Sequence, residues 1–182
     1  MELFLVGLEP DLLKAWEKEF FVFKEVYIIE ADILTVAENC IVSPANSYGH
    51  MDGGIDLYYT EFFGIQLQNE VQNAIQIYCK KNITCEYLPV GASVFVKTSN
   101  KKIPYMISAP TMVGPGPVGQ ENCFFAMAAV LNSAWENRDK IKKLFCPGLA
   151  TGTGRVAYHL AAREMADAYR KWIKKYGRAD ID

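Results

Sequence analysis

Short apolar runs alternate along the chain with longer segments in which apolar residues recur every three or four positions. In residues 121–135, the side chains of Phe124, Leu131 and Trp135 fall on one face of a helix. Residues 26–29 are instead a continuous β-branched and aromatic run, which is typical of a buried strand. Because segments of these two kinds follow one another along the chain, the sequence predicts alternating strands and helices.

This alternation predicts one α/β domain over residues 1–182. Strands are expected at residues 3–6, 25–30, 40–42, 92–97, 103–108 and 143–146. Helices are expected at residues 9–20, 55 to about 63, 65 to about 80, 121–135 and 157–175. Interleaved strands and helices favour a layered α/β fold, in which ligands bind at the carboxyl ends of strands.

Composition and charge narrow the possible functions. Apolar residues make up 51% of the 182 residues and charged residues 22%, so the chain is too apolar to be intrinsically disordered. The formal net charge is −2, and basic residues form no run longer than pairs such as Lys142-Lys143. This pattern predicts neither a nucleic-acid nor an anionic-membrane partner. A bound nucleotide would therefore have to be held by backbone groups and dipoles.

The chain also lacks the usual marks of export and of metal binding. The longest uncharged stretch, residues 103–120, contains four prolines and cannot form a membrane-spanning helix. The amino end of the chain lacks the basic region with which a signal peptide begins, so we expect a cytoplasmic protein. The five cysteines form no Cys-x-x-Cys pair and are accompanied by only two histidines. We expect reduced thiols and no structural zinc.

Two polar, glycine-containing loops each leave a buried strand and enter a helix. They span residues 43–56 and 147–156, called here the first loop and the second loop. In a loop between a strand and a helix, backbone N–H groups and the helix dipole can hold a phosphate. One such loop is weak evidence, because glycine in a turn more often only permits a positive φ angle. The presence of two such loops predicts a two-sided cradle for a diphosphate.

Other nucleotide motifs fit these loops poorly. Gly152, Gly154 and Ala157 have the spacing of the dinucleotide fingerprint, but the position about 20 residues further on, which should be acidic at a strand tip, falls in the last helix. Neither loop is followed by the Gly-Lys-Ser/Thr of a P-loop. We therefore expect neither a dehydrogenase nor a P-loop enzyme.

Four segments follow one another along the chain in the order of a known family pattern. Residues 42–46 and 53–56, which are Val-Ser-Pro-Ala-Asn and Gly-Gly-Ile-Asp, resemble the signature of the macrodomain family: an Asn-Ala-Ala-Asn-type segment, a glycine run and a hydrophobic residue followed by Asp. Residues 30–33 resemble the Gly-Asp-Ile-Thr element, residues 88–92 the proline–glycine turn before a strand, and residues 151–154 the second phosphate loop. The resemblance extends from about residue 3 to about residue 172.

The chain also departs from the family pattern. Ser43 stands where the signature begins with asparagine, and the neighbouring residue is Pro44. Met51 and Asp52 replace two glycines, which adds bulk and charge where bare backbone usually faces the ligand. The extra strand and helix that many macrodomains carry after the last helix have no counterpart before Asp182. The chain thus resembles a shortened, divergent macrodomain, similar to those associated with phages.

The resemblance implies a three-layer α/β/α fold with a central mixed sheet. It also implies binding of ADP-ribose or of ADP-ribosylated protein by a monomer. The implied reaction is hydrolysis without metal or cofactor, which removes mono-ADP-ribose or the phosphate of ADP-ribose 1″-phosphate. A reader that binds ADP-ribose and catalyses nothing is the alternative.

The same resemblance assigns roles to individual residues. Ligand binding is implied for Asp32, Ile33, Ala45, Asn46, Gly53, Gly54, Ile55, Thr151, Gly152, Thr153, Gly154 and Arg155. It implies catalytic roles for Asn46 and for Asp56, which would act on the attacking water. His50 is a further candidate acid or base, because it is a histidine in the first loop. Each assignment has a plainer alternative: Asp32 and Asp56 as helix caps, Asn46 as a turn former, His50 as an exposed loop residue and Arg155 as a surface ion-pair partner.

Overall fold

The computed structural model describes residues 1–82 and 85–177. Within them, six strands form one sheet in the order β2-β1-β6-β3-β5-β4. The strands are β1 (Glu2–Gly7), β2 (Val26–Glu30), β3 (Cys40–Ser43), β4 (Val94–Lys97), β5 (Tyr105–Ser108) and β6 (Lys143–Cys146). Only β4 runs antiparallel to its neighbour in this described sheet. The predicted mixed sheet is confirmed.

Helices cover both faces of this sheet. They are α1 (Pro10–Phe20), α2 (Ile33–Val36), α3 (Gly54–Phe63), α4 (Gln66–Lys81), α5 (Glu121–Glu136) and α6 (Tyr158–Tyr176). Side chains alternate along β1, so that Leu3 and Leu5 join the core beneath α1, α5 and α6. Val6 lies in the opposite core, beneath α2, α3 and α4. This two-sided burial, which follows from the two-residue period of a strand, confirms the three-layer α/β/α fold.

The structure departs from the predicted elements in three places, and one of them is the strand expected at residues 92–97, which begins only at Val94. The α2 helix was not predicted, because it is a single turn of mostly β-branched residues, which have low helix propensity. The strand expected at residues 103–108 begins only at Tyr105. Ile103 belongs instead to the preceding turn, where its N–H donates to Asn100 Oδ1 at 3.0 Å.

The sheet order places the two loops side by side. The first loop follows β3 and the second loop follows β6, and these two strands are parallel neighbours near the centre of the sheet. Because carboxyl ends of parallel strands meet at one edge, both loops emerge at the same edge. Among the described residues, no helix is long and apolar enough to cross a membrane.

Candidate functional site

A cavity of about 740 Å³ opens at the carboxyl edge of the sheet. Its walls come from the first loop, the second loop, the turn after β1, the turn after β2 and the segment after β5. All but one of the predicted site residues line it, namely Asp32, Ile33, Ala45, Asn46, His50, Gly53, Gly54, Ile55, Asp56, Thr151, Gly152, Thr153 and Gly154. The structure thus brings together residues that lie more than 100 positions apart in sequence.

Arg155 is the predicted site residue that lies elsewhere. Its exposed side chain belongs to a shallow depression on the other side of the second loop, together with Asp11, Tyr158 and His159. Its backbone has a φ of 53°, in the left-handed region, and its N–H donates to Gly152 O at 3.0 Å. The backbone of Arg155 therefore closes the turn of the second loop, while its side chain is not part of the cavity lining.

The first and second loops face each other across the cavity. A Cβ added at Gly54 would lie 4.0 Å from Thr153 Oγ1. Gly54 also has a φ of 56°, which L-residues rarely adopt, so glycine suits this position in both space and conformation. A Cβ at Gly53 or Gly152 would instead meet nothing within 4 Å. The space between the loops is open to a ligand.

Backbone N–H groups of both loops are available on this space. The α3 helix begins at Gly54, and its N-cap residue Gly53 has no side chain with which to bond the N–H groups of the first turn. In the described part of the chain, the N–H groups of Gly152, Thr153 and Gly154 donate to no protein acceptor. Such N–H groups together with a helix N-terminus favour an anion.

The second loop is held in a fixed, tightly folded conformation. Val156 N–H donates to Ala150 O at 3.1 Å, and Val118 N–H donates to Gly154 O at 3.0 Å. Ala150 has a φ of 58°, an uncommon value for a residue with a side chain. A Cβ at Gly154 would lie 2.5 Å from Ala150 O, so only glycine fits there. Backbone outliers of this kind are costly and are often found at functional sites.

Asp56 is a buried carboxyl group on the cavity wall. Its side chain is buried in the first turn of α3, and Oδ1 accepts a hydrogen bond of 2.7 Å from Ser43 Oγ. Burial raises the pKa of Asp56 to about 7, and the Ser43 bond opposes that rise. Across the described residues no backbone N–H bonds its carboxylate, so the side chain is not a helix cap. A carboxyl group that ionises near neutral pH suits a general base.

Ser43 and Met51, two departures from the family pattern, both lie in buried positions. Ser43 is the last residue of β3, and its hydroxyl is short enough to meet Asp56 behind the cavity wall. Met51 packs into the core beneath α3 and α4, where its carbonyl accepts from Thr60 Oγ1 at 2.8 Å. The bulk expected of Met51 is therefore absent from the cavity, because the side chain turns inward. Asp52 does line the cavity, so the added charge is present there.

Asn46 and Asp32 line the cavity, and the side chain of each makes hydrogen bonds to residues close to it in sequence. The Asn46 side chain accepts from Tyr48 N–H at 3.0 Å and from His50 N–H at 3.3 Å, and it donates to His50 O at 2.7 Å. Asp32 Oδ1 accepts from Leu34 N–H at 2.9 Å and caps α2. The plainer alternatives for both residues are thus visible in the structure. His50, whose backbone Asn46 holds, is exposed at the rim.

Sequence reasoning missed a substantial part of the cavity lining. These residues are Gly7 at the end of β1, Leu8 and Glu9 after it, Leu12 on α1, Tyr58 and Tyr59 on α3, and Thr111, Met112 and Pro115 after β5. They carry no glycine-rich motif. The available signal was topological, because β1 and β5 run parallel to the strands that carry the two loops. Within the described ranges, no three His, Cys, Asp or Glu side chains are grouped to hold a metal ion.

The fold and the site together define a three-layer α/β domain with a cavity between two glycine-rich loops. The family model of the Macro domain matches residues 42–165. This chain belongs to the Macro domain family.

The chain is also similar to individual proteins and, in its fold, to solved macrodomains. An uncharacterized protein of Aquifex aeolicus is 30% identical over 163 residues, which cover 87% of this chain and 91% of that protein. The macrodomain of Mycobacterium tuberculosis DarG superposes with a TM-score of 0.63 at 18% identity, covering 78% of this chain and 87% of its own. A glycine-to-valine variant of the Oceanobacillus iheyensis macrodomain with ADPR has a TM-score of 0.63 at 17% identity, covering 93% of this chain and 76% of its own.

Proposed function

We propose that this protein binds ADP-ribose in the cavity between its two loops and hydrolyses ADP-ribosyl derivatives without a metal ion. The observation that carries the proposal is the pair of facing loops, whose N–H groups at Gly53–Gly54 and Gly152–Gly154 border one cavity. A cavity of about 740 Å³ suits a ligand of nucleotide size. The O. iheyensis relative, of the same fold, was solved with ADPR.

Backbone groups would hold the diphosphate from two sides. The N-terminus of α3 presents its dipole and its unbonded N–H groups on one side, and the second loop presents N–H groups on the other. This mode of binding explains how a chain with a net charge of −2 holds an anion without a cluster of basic side chains. Asp32 and Ile33 border the same cavity after β2, where the adenosine half would lie.

Hydrolysis would depend on Asp56. With a pKa near 7, Asp56 is ionised in a large fraction of molecules at neutral pH, and its carboxylate would accept a proton from the attacking water. Holding the diphosphate fixes the distal ribose relative to this carboxylate, which is catalysis by positioning and by fixed dipoles. The substrate is either mono-ADP-ribosylated protein or ADP-ribose 1″-phosphate. His50, exposed at the rim, is the second titratable side chain we assign to the reaction, as acid or base.

One observation favours the alternative of a non-catalytic reader. The side chain of Asn46, expected beside the scissile bond, already makes three hydrogen bonds within the first loop. Its oxygen accepts two of them, which leaves one amide proton for a ligand. A reader needs only the two loops, whereas a hydrolase needs Asp56 and correctly aligned ribose as well.

Incubation with mono-ADP-ribosylated protein and, separately, with ADP-ribose 1″-phosphate tests the proposal. We expect release of ADP-ribose or of phosphate, and we expect Asp56→Asn to lower that rate by about 10²–10⁴-fold with a much smaller loss of ADP-ribose affinity. Glu61→Gln is the matched control, because Glu61 is an exposed carboxylate on the same helix and does not line the cavity. Binding without release from either substrate would establish the reader, and absence of binding would contradict both.

A further inference from the structure

Two thiols meet at a distance from the cavity, beside the first loop. Cys79 lies near the end of α4 and Cys85 follows that helix, and their Sγ atoms are 2.8 Å apart. Both side chains are half-buried and both cysteines are free, whereas Cys40, Cys123 and Cys146 are buried. A disulfide bond measures about 2.05 Å between sulfur atoms, so a movement of less than about 1 Å would join this pair.

We propose that Cys79 and Cys85 form an oxidisable dithiol, which closes to an intramolecular disulfide by exchange with a small-molecule disulfide of the glutathione type. The site lies outside the cavity lining and needs no assumption about ADP-ribose. It is a modification site of the fold, carried by the contact between the two sulfur atoms.

The exchange proceeds in two balanced steps. The Cys85 thiolate attacks one sulfur of glutathione disulfide, which forms a mixed disulfide and expels one glutathione thiolate. Cys79 then loses its proton and attacks Cys85 Sγ, which forms the Cys79–Cys85 bond and expels the second glutathione thiolate. Two protein thiols are oxidised by two electrons in total, and one glutathione disulfide is reduced to two thiols.

Cys79 is the thiol that we assign to the second step. Burial, together with the neighbouring Cys85, raises the pKa of Cys79 to about 11, so Cys79 is protonated at neutral pH and reacts once Cys85 Sγ, 2.8 Å away, carries the mixed disulfide. Once Cys85 carries the mixed disulfide, the neighbouring Cys79 reacts within the same molecule, at high effective concentration. Closure is therefore favoured over a second, separate glutathione adduct.

The disulfide would brace one wall of the cavity indirectly. The bracing acts through the covalent chain, because Cys85 is three residues before Leu88, whose N–H donates to Ser47 O in the first loop at 3.0 Å. The hydrogen bond of 2.7 Å that Cys85 Sγ donates to Tyr87 O belongs to the dithiol and is lost when the disulfide forms. The Tyr87 and Tyr48 rings also lie 5.5 Å apart. Tying Cys85 to α4 thus restrains the segment on which the first loop packs.

Incubation of the folded protein with glutathione disulfide, followed by alkylation and peptide mapping, tests the proposal. We expect one internal Cys79–Cys85 disulfide, with the loss of two hydrogen atoms and no alkylation at either residue. Cys79→Ser should stop the reaction at a glutathione adduct on Cys85, and Cys123→Ser, the control at a buried thiol, should still close. Closure should also slow hydrogen exchange at the Leu88 amide by about tenfold, because that amide bonds the first loop.

Two results would overturn the proposal. Alkylation of both residues after treatment, or separate glutathione adducts on both, would show that the thiols do not act as a pair. Unchanged exchange at Leu88 in protein that carries the disulfide would overturn the bracing of the first loop. The glutathione adduct expected of Cys79→Ser also shows directly that Cys85 is accessible to the reagent.

Discussion

Ser43 stands where the macrodomain signature begins with asparagine, and its hydroxyl donates to Asp56 at 2.7 Å. A hydrogen bond to a carboxylate stabilises the ionised form, whereas burial stabilises the neutral form. Burial is the larger effect here, because the pKa of Asp56 is raised overall, to about 7. The serine therefore keeps a buried carboxyl group ionisable near neutral pH.

Ser43→Ala removes the contribution that opposes burial, so we expect the pKa of Asp56 to rise by about one unit, in line with the strength of a hydrogen bond to a charged group. The acidic limb of the pH–rate profile should move upward by the same amount. The titration of the Asp56 carboxyl carbon by NMR measures the pKa directly, whether or not the protein is an enzyme. Ser43→Thr keeps a hydroxyl and should restore the original titration. An unchanged pKa in Ser43→Ala would contradict this role.

The same carboxyl group makes stability depend on pH. The pKa of Asp56 is about 7 in the folded protein, above the usual value of about 4 in an unfolded chain, so between these values the folded state binds a proton that the unfolded state releases. Stability should therefore fall as the pH rises from about 4 to about 7, by an amount of order 2–4 kcal/mol for this group. Unfolding by denaturant at pH 4.5 and at pH 8 measures the change.

Asp56→Asn should remove most of this dependence, because an amide does not titrate. Glu61→Gln, which changes an exposed carboxylate on the same helix, should leave it in place. The quantity to compare between the variants is the difference in the free energy of unfolding between pH 4.5 and pH 8. The cost of burying the amide is the same at both pH values and cancels in this difference. An identical pH dependence in Asp56→Asn and in the native protein would mean that the pKa of Asp56 is the same in the folded and unfolded states, and would contradict this prediction.

Among the structural elements, the glycines of the two loops differ in whether there is room for a side chain at their positions. Gly152 lines the cavity and a Cβ there would enter open space, whereas a Cβ at Gly154 would lie 2.5 Å from Ala150 O. Gly152 is therefore the position at which a side chain fills ligand space without disturbing the fold. Gly154 is required by the turn itself.

We expect Gly152→Val to weaken ADP-ribose binding by at least about tenfold, because the branched side chain would occupy space meant for phosphate and restrict the backbone. Its thermal stability should stay close to that of the native protein. Gly154→Val should instead lose stability. Gly116→Val is the matched control, since a Cβ at Gly116 also meets nothing within 4 Å and Gly116 does not line the cavity. Calorimetric titration and thermal unfolding give both readouts. Equal affinity in folded Gly152→Val would mean that this glycine serves only the loop.

Most elements could be predicted because their hydrophobic periods are strong. Helix α5, for example, is expected at residues 121–135 and found at Glu121–Glu136. The α2 turn could not be predicted, since four residues contain about one helical period and Ile33 and Val36 favour strands. Met51 shows a second limit. In an irregular loop no period tells which way a side chain points, and this one points into the core.

In the molecule as a whole, the order of the strands in the sheet determines which segments line the cavity. The two loops could be predicted because each carries its own glycine motif after a strand. Leu8 and Thr111 could not, because each joins the cavity only through the position of its strand, β1 beside β6 and β5 beside β3. Five parallel strands share one edge, so every segment that follows them borders the same space. The cytoplasmic location, the monomeric state and the similarity to phage-associated types stay predictions.

Calorimetric titration with ADP-ribose in the presence of EDTA tests whether the two loops hold the diphosphate without a cation. We expect one binding site per chain and the same affinity with and without EDTA, because backbone N–H groups of the two loops, and not a cation, would satisfy the diphosphate. ADP should compete for this site, since it carries the diphosphate that the loops would hold. Absence of binding, or binding that EDTA abolishes, would show that the two loops do not hold ADP-ribose in this way.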